Sequence, residues 1–169
     1  MGTALTPEPL TPEAFAPFGS VVQAAATAVE DALRINAGTA MRHEAVPALD
    51  LQRDGGRAVL AVYDAEARRF PFTAHALERH RLSDQVFLPL GAARRAVLLV
   101  ATPGDAPDRE RLRAFVTDGH QGVRIAAGTW HHPLLALDAG AWAVLERRGA
   151  DVDCEVVALE PAQVVEPPC

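Results

Sequence analysis

Three short stretches of the 169-residue sequence carry side chains able to move protons or bind a metal: 75–90 (HALERHRLSDQVFLPL), 34–44 (RINAGTAMRHE) and 117–133 (TDGHQGVRIAAGTWHHP). Read as a strand, the first puts Glu78 and His80 on one face and His75, Leu77 and Arg79 on the other. A carboxylate beside a histidine is an acid/base pair or two metal ligands. The same pair also decorates a solvated strand face, and taken alone that is the commoner case. In the second stretch Arg42 follows the loop residues Asn36 and Gly38, and its planar guanidinium suits a carboxylate; a turn with surface charges is the alternative. The third ends in two adjacent histidines, His131 and His132, between Trp130 and Pro133. Neighbours on a strand point to opposite faces, so only one of them enters an interior. A bend at Pro133 leaves open which one. Tryptophan is more often core than a binding platform.

Other chemistries are excluded by composition. All sixteen basic residues are arginine, so lysine Schiff bases and a P-loop lysine are ruled out. The only serines, Ser20 and Ser83, lie outside any GxSxG, and no HExxH, EF-hand, GxGxxG or Walker pattern occurs. A formal net charge of −6 argues against non-specific nucleic-acid binding and against an anionic membrane surface. Cys154 and Cys169 form no CxxC; a reduced cytoplasm is expected, with Cys154 a small apolar strand residue. Residues 1–15 lack the basic and apolar regions of a signal peptide. Runs such as AVLLVA at 96–101 are too short to span a bilayer.

The elements that must position these residues are mostly short strands, expected at 20–23, 57–63, 72–80, 85–90, 94–101, 122–126, 134–137, 142–147 and 154–159, each bounded by Gly, Pro or Asp. Thr11, Pro12, Glu13 and Gly19 frame a short helix near 11–18. A second helix is expected over Asp108–Val116, from the Leu112, Phe115, Val116 stripe and the stop at Gly119. No linker or repeat divides residues 1–169. The expectation is one mainly antiparallel β-barrel or double-sheet sandwich with one or two peripheral helices, of a kind that holds one small ligand. The usual spacing of metal-binding cupins, HxH with a glutamate shortly after, does not occur.

Taken in order, INAGTAMRH, HALERH…DQVFLPL, LRAFVTDGHQGV and WHHPLLAL resemble the ureidoglycolate lyase family. The match runs from FAPFGSVV near Phe15 to DCEVVALE ending at Glu160, and the ERH…Q.F.P and WHHPL blocks are its specific parts. The resemblance implies a cupin-like, cytoplasmic homodimer that releases urea from (S)-ureidoglycolate to leave glyoxylate, late in purine and allantoin degradation, with nickel as the family's metal. Where family members carry a polar-aromatic pair after QGV, this chain has Arg124, Ile125 and Ala126. His120 sits at a position that is not regularly histidine in the family and is not counted as a ligand.

The implied chemistry suits the residue types. Lysis of a carbinolamide needs a base for the hydroxyl proton, an acid for the departing urea and a cation for the carboxylate, with no covalent intermediate. On this reading Glu78, His80 and His132 are the catalytic residues, with His132 the inward histidine. Asn36, Arg42, Gln85 and Trp130 bind substrate, Arg42 as the carboxylate clamp. If a metal is used, its ligands are Glu78, His80 and His132. The competing readings are an amidohydrolase releasing ammonia, a lyase for another small 2-hydroxy or 2-oxo acid, and a non-catalytic small-acid-binding cupin.

Overall fold

In the computed structural model, which describes residues 4–24 and 32–168, the apolar runs pair into two facing sheets and a separate hairpin. The strands are β1 (Glu8–Pro9), β2 (Gly19–Val22), β3 (Leu33–Ile35), β4 (Ala40–Arg42), β5 (Arg57–Ala65), β6 (Phe72–Arg79), β7 (Gln85–Pro89), β8 (Ala96–Ala101), β9 (Arg113–Val116), β10 (Gly122–Ile125), β11 (Trp130–His131), β12 (Leu135–Ala136), β13 (Gly140–Arg148) and β14 (Glu155–Val165). One sheet runs β1-β9-β8-β11-β6-β14, with β12 also on β8; the other runs β2-β10-β7-β13-β5; β3 and β4 make the hairpin. Among the described strands only β1 and β9 pair parallel. The sheets stack as a sandwich and do not close into a barrel.

Alternation along β8 shows how the layers are filled. Its even residues Ala96, Leu98 and Val100 join Phe115 from one sheet and Phe87, Val123, Ile125, Trp142 and Val144 from the other, forming the core between the sheets. Its odd residues Val97, Leu99 and Ala101 join Leu77, Ala114, Trp130 and Leu135 in a second apolar layer on the opposite face. Both faces of this sheet are therefore buried, and each large side chain withdrawn from water contributes roughly 1.5–3 kcal/mol.

That double burial explains one correction. No helix covers Asp108–Val116: a single 3-10 turn at Arg109–Arg111 leads into strand β9. Asp108 does cap, its Oδ1 accepting from the Glu110 N–H at 3.1 Å, but for that turn alone. In β9, Ala114 faces the outer layer and Phe115 the inter-sheet core, so a strand apolar on both sides presents a run that mimics a helical stripe. The first helix is present as Pro12–Phe15, its N-cap Thr11 Oγ1 accepting from the Ala14 N–H at 3.2 Å. Cys154 is also corrected: it is exposed, in the loop before β14. Cys169 lies outside the described residues.

Candidate active site

The phase of β11 builds the site. Gly128 holds a left-handed φ of 82° and donates its N–H to the His80 carbonyl at 2.7 Å, tying the end of β6 to the turn that enters β11. Trp130, paired with Ala101, takes the outer layer with 0% exposure; its Nε1 donates to the Gly104 carbonyl at 3.1 Å, and Arg79 lies over its ring at 4.2 Å. The next residue must point the other way. His131, paired with Val100 and Glu78, therefore enters the space between the sheets and is 2% exposed.

There it meets Glu78 and His80, which share a face of β6 and its extension as the alternation required. The three offer one ligand atom each, all within 4.8 Å of one another. The inward histidine is thus His131, not His132, and so is the third member of the metal-competent group. His132 is half-buried at the strand end, its ring edge-on to Phe72 at 5.2 Å between centroids and its Nδ1 near the Pro133 carbonyl at 2.8 Å. Burial pulls its pKa below the ordinary histidine value.

The histidine tautomers follow from the second contacts of the rings. His131 Nδ1 lies 2.9 Å from the Thr129 carbonyl, and His80 Nδ1 meets the Asp153 carbonyl. A carbonyl only accepts, so each neutral ring carries its proton on Nδ1 and presents a bare Nε2. Both Nε2 atoms are buried without a hydrogen-bond partner. His131 Nε2 stops 3.6 Å from Glu78 Oε1, beyond hydrogen-bond range. Burial pushes the Glu78 carboxyl up, but His131, then His80 and the Cys154 thiol, outweigh it and the net shift is downward. Two orphaned imidazole lone pairs and an ionised carboxylate, with both rings oriented from behind by carbonyls, are what a divalent cation requires.

The facing sheet supplies Gln85, which the sequence indicated, and with it Tyr63 and Glu146, which it did not; Cys154 comes from the loop before β14. Tyr63 donates its hydroxyl to Glu146 Oε2 at 2.9 Å, and Gln85 Nε2 donates to the same oxygen at 3.3 Å. Burial, then the bond to Glu146, pushes the Tyr63 phenol up to about 12. Cys154 donates its thiol to Glu78 Oε2 at 3.5 Å, and burial followed by the Glu78 charge pushes it up to about 11. Extending the phase of Trp142 and Val144 along β13 finds Glu146 and Arg148 on the same face.

Of the substrate-binding candidates, Gln85 is in the site. Trp130 is not: it fills the layer on the far side of β11. Asn36 and Arg42 belong to the β3–β4 hairpin, Asn36 in its left-handed turn at φ 52° and Arg42 paired with Glu44 at 3.1 Å. Among the described residues, neither bonds to the Glu78 group. Arg124 is structural: its guanidinium meets both oxygens of Asp84, at 2.9 and 3.2 Å, and Asp84 also accepts from the Ala127 N–H.

Two cavities flank the group. The larger, about 520 Å³, lies between the end of β5 and Pro133–Leu134 and includes Arg68 but no member of the group. The other, about 240 Å³, is lined by His80, Glu146, Arg148 and Cys154 among others. Contact with His80 makes the second the candidate site, together with a smaller space of about 30 Å³ that His80, Gln85 and Glu146 also line.

A sequence profile of the ureidoglycolate lyase family matches residues 2–166. The chain is 42% identical over 163 residues to a ureidoglycolate lyase of Burkholderia cepacia, covering 94% of this chain and 88% of that one. It is 40% identical over 152 residues to that of Azotobacter vinelandii, covering 89% of each, and 38% identical over 152 residues to that of Pseudomonas syringae, covering 89% and 87%. With matches that span nearly the whole of each chain, the protein belongs to the ureidoglycolate lyase family.

Proposed function

We propose that this protein is a ureidoglycolate lyase, cleaving (S)-ureidoglycolate to glyoxylate and urea in purine and allantoin breakdown, with residues 1–169 acting as one domain. The observation that carries the reading is the convergence of Glu78, His80 and His131 in a chain that matches the family from end to end.

The reaction moves one proton. The substrate hydroxyl loses it as the carbonyl forms, the C–N bond breaks, and the urea nitrogen takes it up. A single group can therefore act as base and then as acid. Glu78, His80 and His131 each present a lone pair that can take the proton and return it; with both imidazole Nε2 atoms suited to a cation, the carrier is Glu78. Its Oε1 faces His131, while its Oε2 faces Cys154 at the cavity that His80 lines. The Cys154 thiol donates to Glu78 Oε2, Gln85 offers hydrogen bonds to the urea end, and Tyr63 and Glu146 fix Gln85. A divalent ion, nickel by family, held by Glu78, His80 and His131 would polarise the substrate hydroxyl and favour its ionisation.

The test is incubation of the purified protein with ureidoglycolate while glyoxylate, urea and ammonia are assayed together, with and without chelator. Equal glyoxylate and urea support the lyase. Ammonia in place of urea would mean an amidohydrolase, and no turnover a binding protein.

The working unit is a homodimer in the cytoplasm. Exposed Leu60, Val62, Leu88 and Leu90 favour a partner surface, as do Leu33 and Met41 on the hairpin. The free thiol of Cys154 fits a reducing compartment. Sedimentation at micromolar concentration should give twice the chain mass.

A further inference from the structure

The substrate just proposed carries a carboxylate, and the group of Glu78, His80 and His131 includes no arginine. Six arginines near the sandwich core and its edges are already engaged. Arg79 donates to Glu155 at 2.9 Å, Arg81 to the same carboxylate at 2.8 Å, Arg95 to Asp138, Arg113 to Glu8 and Arg124 to Asp84. Arg147 donates Nε to the Arg53 carbonyl at 2.8 Å and Nη2 to the Asp54 carbonyl at 3.2 Å. Its neighbour Arg148 differs. It follows Trp142, Val144 and Glu146 in phase on β13, lies exposed at the strand's end, and its guanidinium has no hydrogen bond or ion pair among the described residues.

Arg148 lines the 240 Å³ cavity together with His80 and Cys154. Of the three acids that line the cavity, Asp151 is exposed and makes no bond to Arg148, and the other two are committed. Glu146 accepts from Tyr63 and Gln85, and Asp153 accepts from the Arg81 and Leu82 N–H groups and from Ser83. The field of Arg148 also reaches Tyr63, where it opposes the upward shift of the phenol. Its charge thus acts at the inner face of the sheet that carries Tyr63 and Glu146. Arg68, the other unpaired cation at a cavity, lies in the one that no group member lines.

We propose that Arg148 is the residue that holds the substrate carboxylate, making the cavity selective for small 2-hydroxy and 2-oxo monocarboxylates. The assignment rests on the lyase reading for the identity of the substrate, but its anion-binding content stands separately. The fork of a guanidinium offers two parallel N–H donors to the two carboxylate oxygens. This leaves the hydroxyl-bearing carbon toward His80 and Glu78.

Isothermal titration with oxamate, a stable carboxylate with an amide at the urea end, tests it on the protein as purified, on Arg148→Gln, Arg148→Lys and Arg68→Gln. Arg148→Gln should weaken oxamate binding roughly 10- to 100-fold, the range of a lost charged hydrogen bond. Arg148→Lys should recover part of that loss, and Arg68→Gln should bind as the parent does. With ureidoglycolate, Arg148→Gln should raise KM by a similar factor and leave kcat within about threefold. Circular dichroism checks that each variant is folded. The proposal is overturned if Arg148→Gln binds oxamate as tightly as the parent, if the parent binds none at millimolar concentration, or if kcat falls while KM holds. If the parent forms no urea yet binds oxamate through Arg148, the lyase reading fails and this assignment survives.

Discussion

His131 and Glu78 occupy one rung of the antiparallel ladder between β11 and β6, and their side chains end 3.6 Å apart, Nε2 to Oε1. Strand pairing thus fixes the spacing between the carboxylate and the imidazole. The gap is too long for a hydrogen bond and suits two ligands sharing one cation. His132, one residue on, has no such partner.

The kinetic consequence is an asymmetry between adjacent histidines. His131→Ala removes one of the two free lone pairs beside Glu78 and should lower kcat on the order of 10²-fold or more. His132→Ala loses an edge contact with Phe72 and should stay within roughly tenfold of the parent by the same standard. Steady-state kinetics on both variants, after a check of folding, decides. Equal losses would mean that His132 shares the chemistry.

Metal content gives a separate measure of the same group. The protein dialysed against nickel should retain one ion per chain by elemental analysis, because three ligand atoms lie within 4.8 Å of one another. His80→Ala and His131→Ala should each lose most of it, while His132→Ala should keep it. Retention by His131→Ala would show that the ion, if bound, sits elsewhere.

Much of this architecture was legible in the sequence, and the parts that were not share a cause. Alternation correctly put Glu78 and His80 on one face, because β6 is long and His75, Leu77 and Arg79 set its phase. For 130–132 alternation gave two solutions. Trp130 and His132 inward was one of them, and the structure takes the other. Only tertiary packing chooses: the indole finds a pocket closed by Arg79 and Gly104 on the far side of the sheet, and burying so large a side chain outweighs the preference of either histidine. The strand at Arg113–Val116 was hidden for a related reason, since burial on both faces erases period two. Arg148 and Glu146 were readable from the phase of Trp142 and Val144, but nothing in a run of charged residues at a strand end marks one of them as facing inward.

The Arg79–Trp130 contact predicts where stability and catalysis separate. Arg79 is 5% exposed, stacks on the indole and donates to Glu155, so Arg79→Ala removes a partner from a carboxylate and uncovers the ring. Half-exposed Glu155 keeps Arg81, so the loss comes mainly from uncovering the indole, and Arg79→Ala should lower the urea midpoint. Trp130→Phe keeps most of the apolar bulk, and the Gly104 carbonyl keeps the Arg79 guanidinium as a donor, so the lost hydrogen bond should cost about 0.5–1.5 kcal/mol. Urea denaturation measures both. KM for ureidoglycolate should be nearly unchanged in Trp130→Phe, whereas a large rise would return Trp130 to the substrate.

The last prediction concerns acid stability at the end of the sandwich. Asp138 accepts from the Arg95 backbone N–H at 2.9 Å and from its Nε and Nη2 at 3.0 and 3.1 Å. The Arg95 side chain, then its backbone N–H, hold the Asp138 carboxyl below the usual aspartate range. A carboxyl depressed in the folded state binds its proton more weakly there than in the unfolded chain. Its contribution is therefore fully present above the unfolded value of about 3.9 and is lost as pH falls through the lower folded value. The pair is solvent-exposed, so screening limits the contribution to about 1 kcal/mol or less. Asp138→Asn should lower stability by that amount at pH 7 and should flatten the fall in stability below about pH 4. Urea midpoints of parent and variant, measured from pH 7 to pH 3, should converge as the pH drops. A difference that stayed constant across the series would show that the Asp138 charge has no part in it.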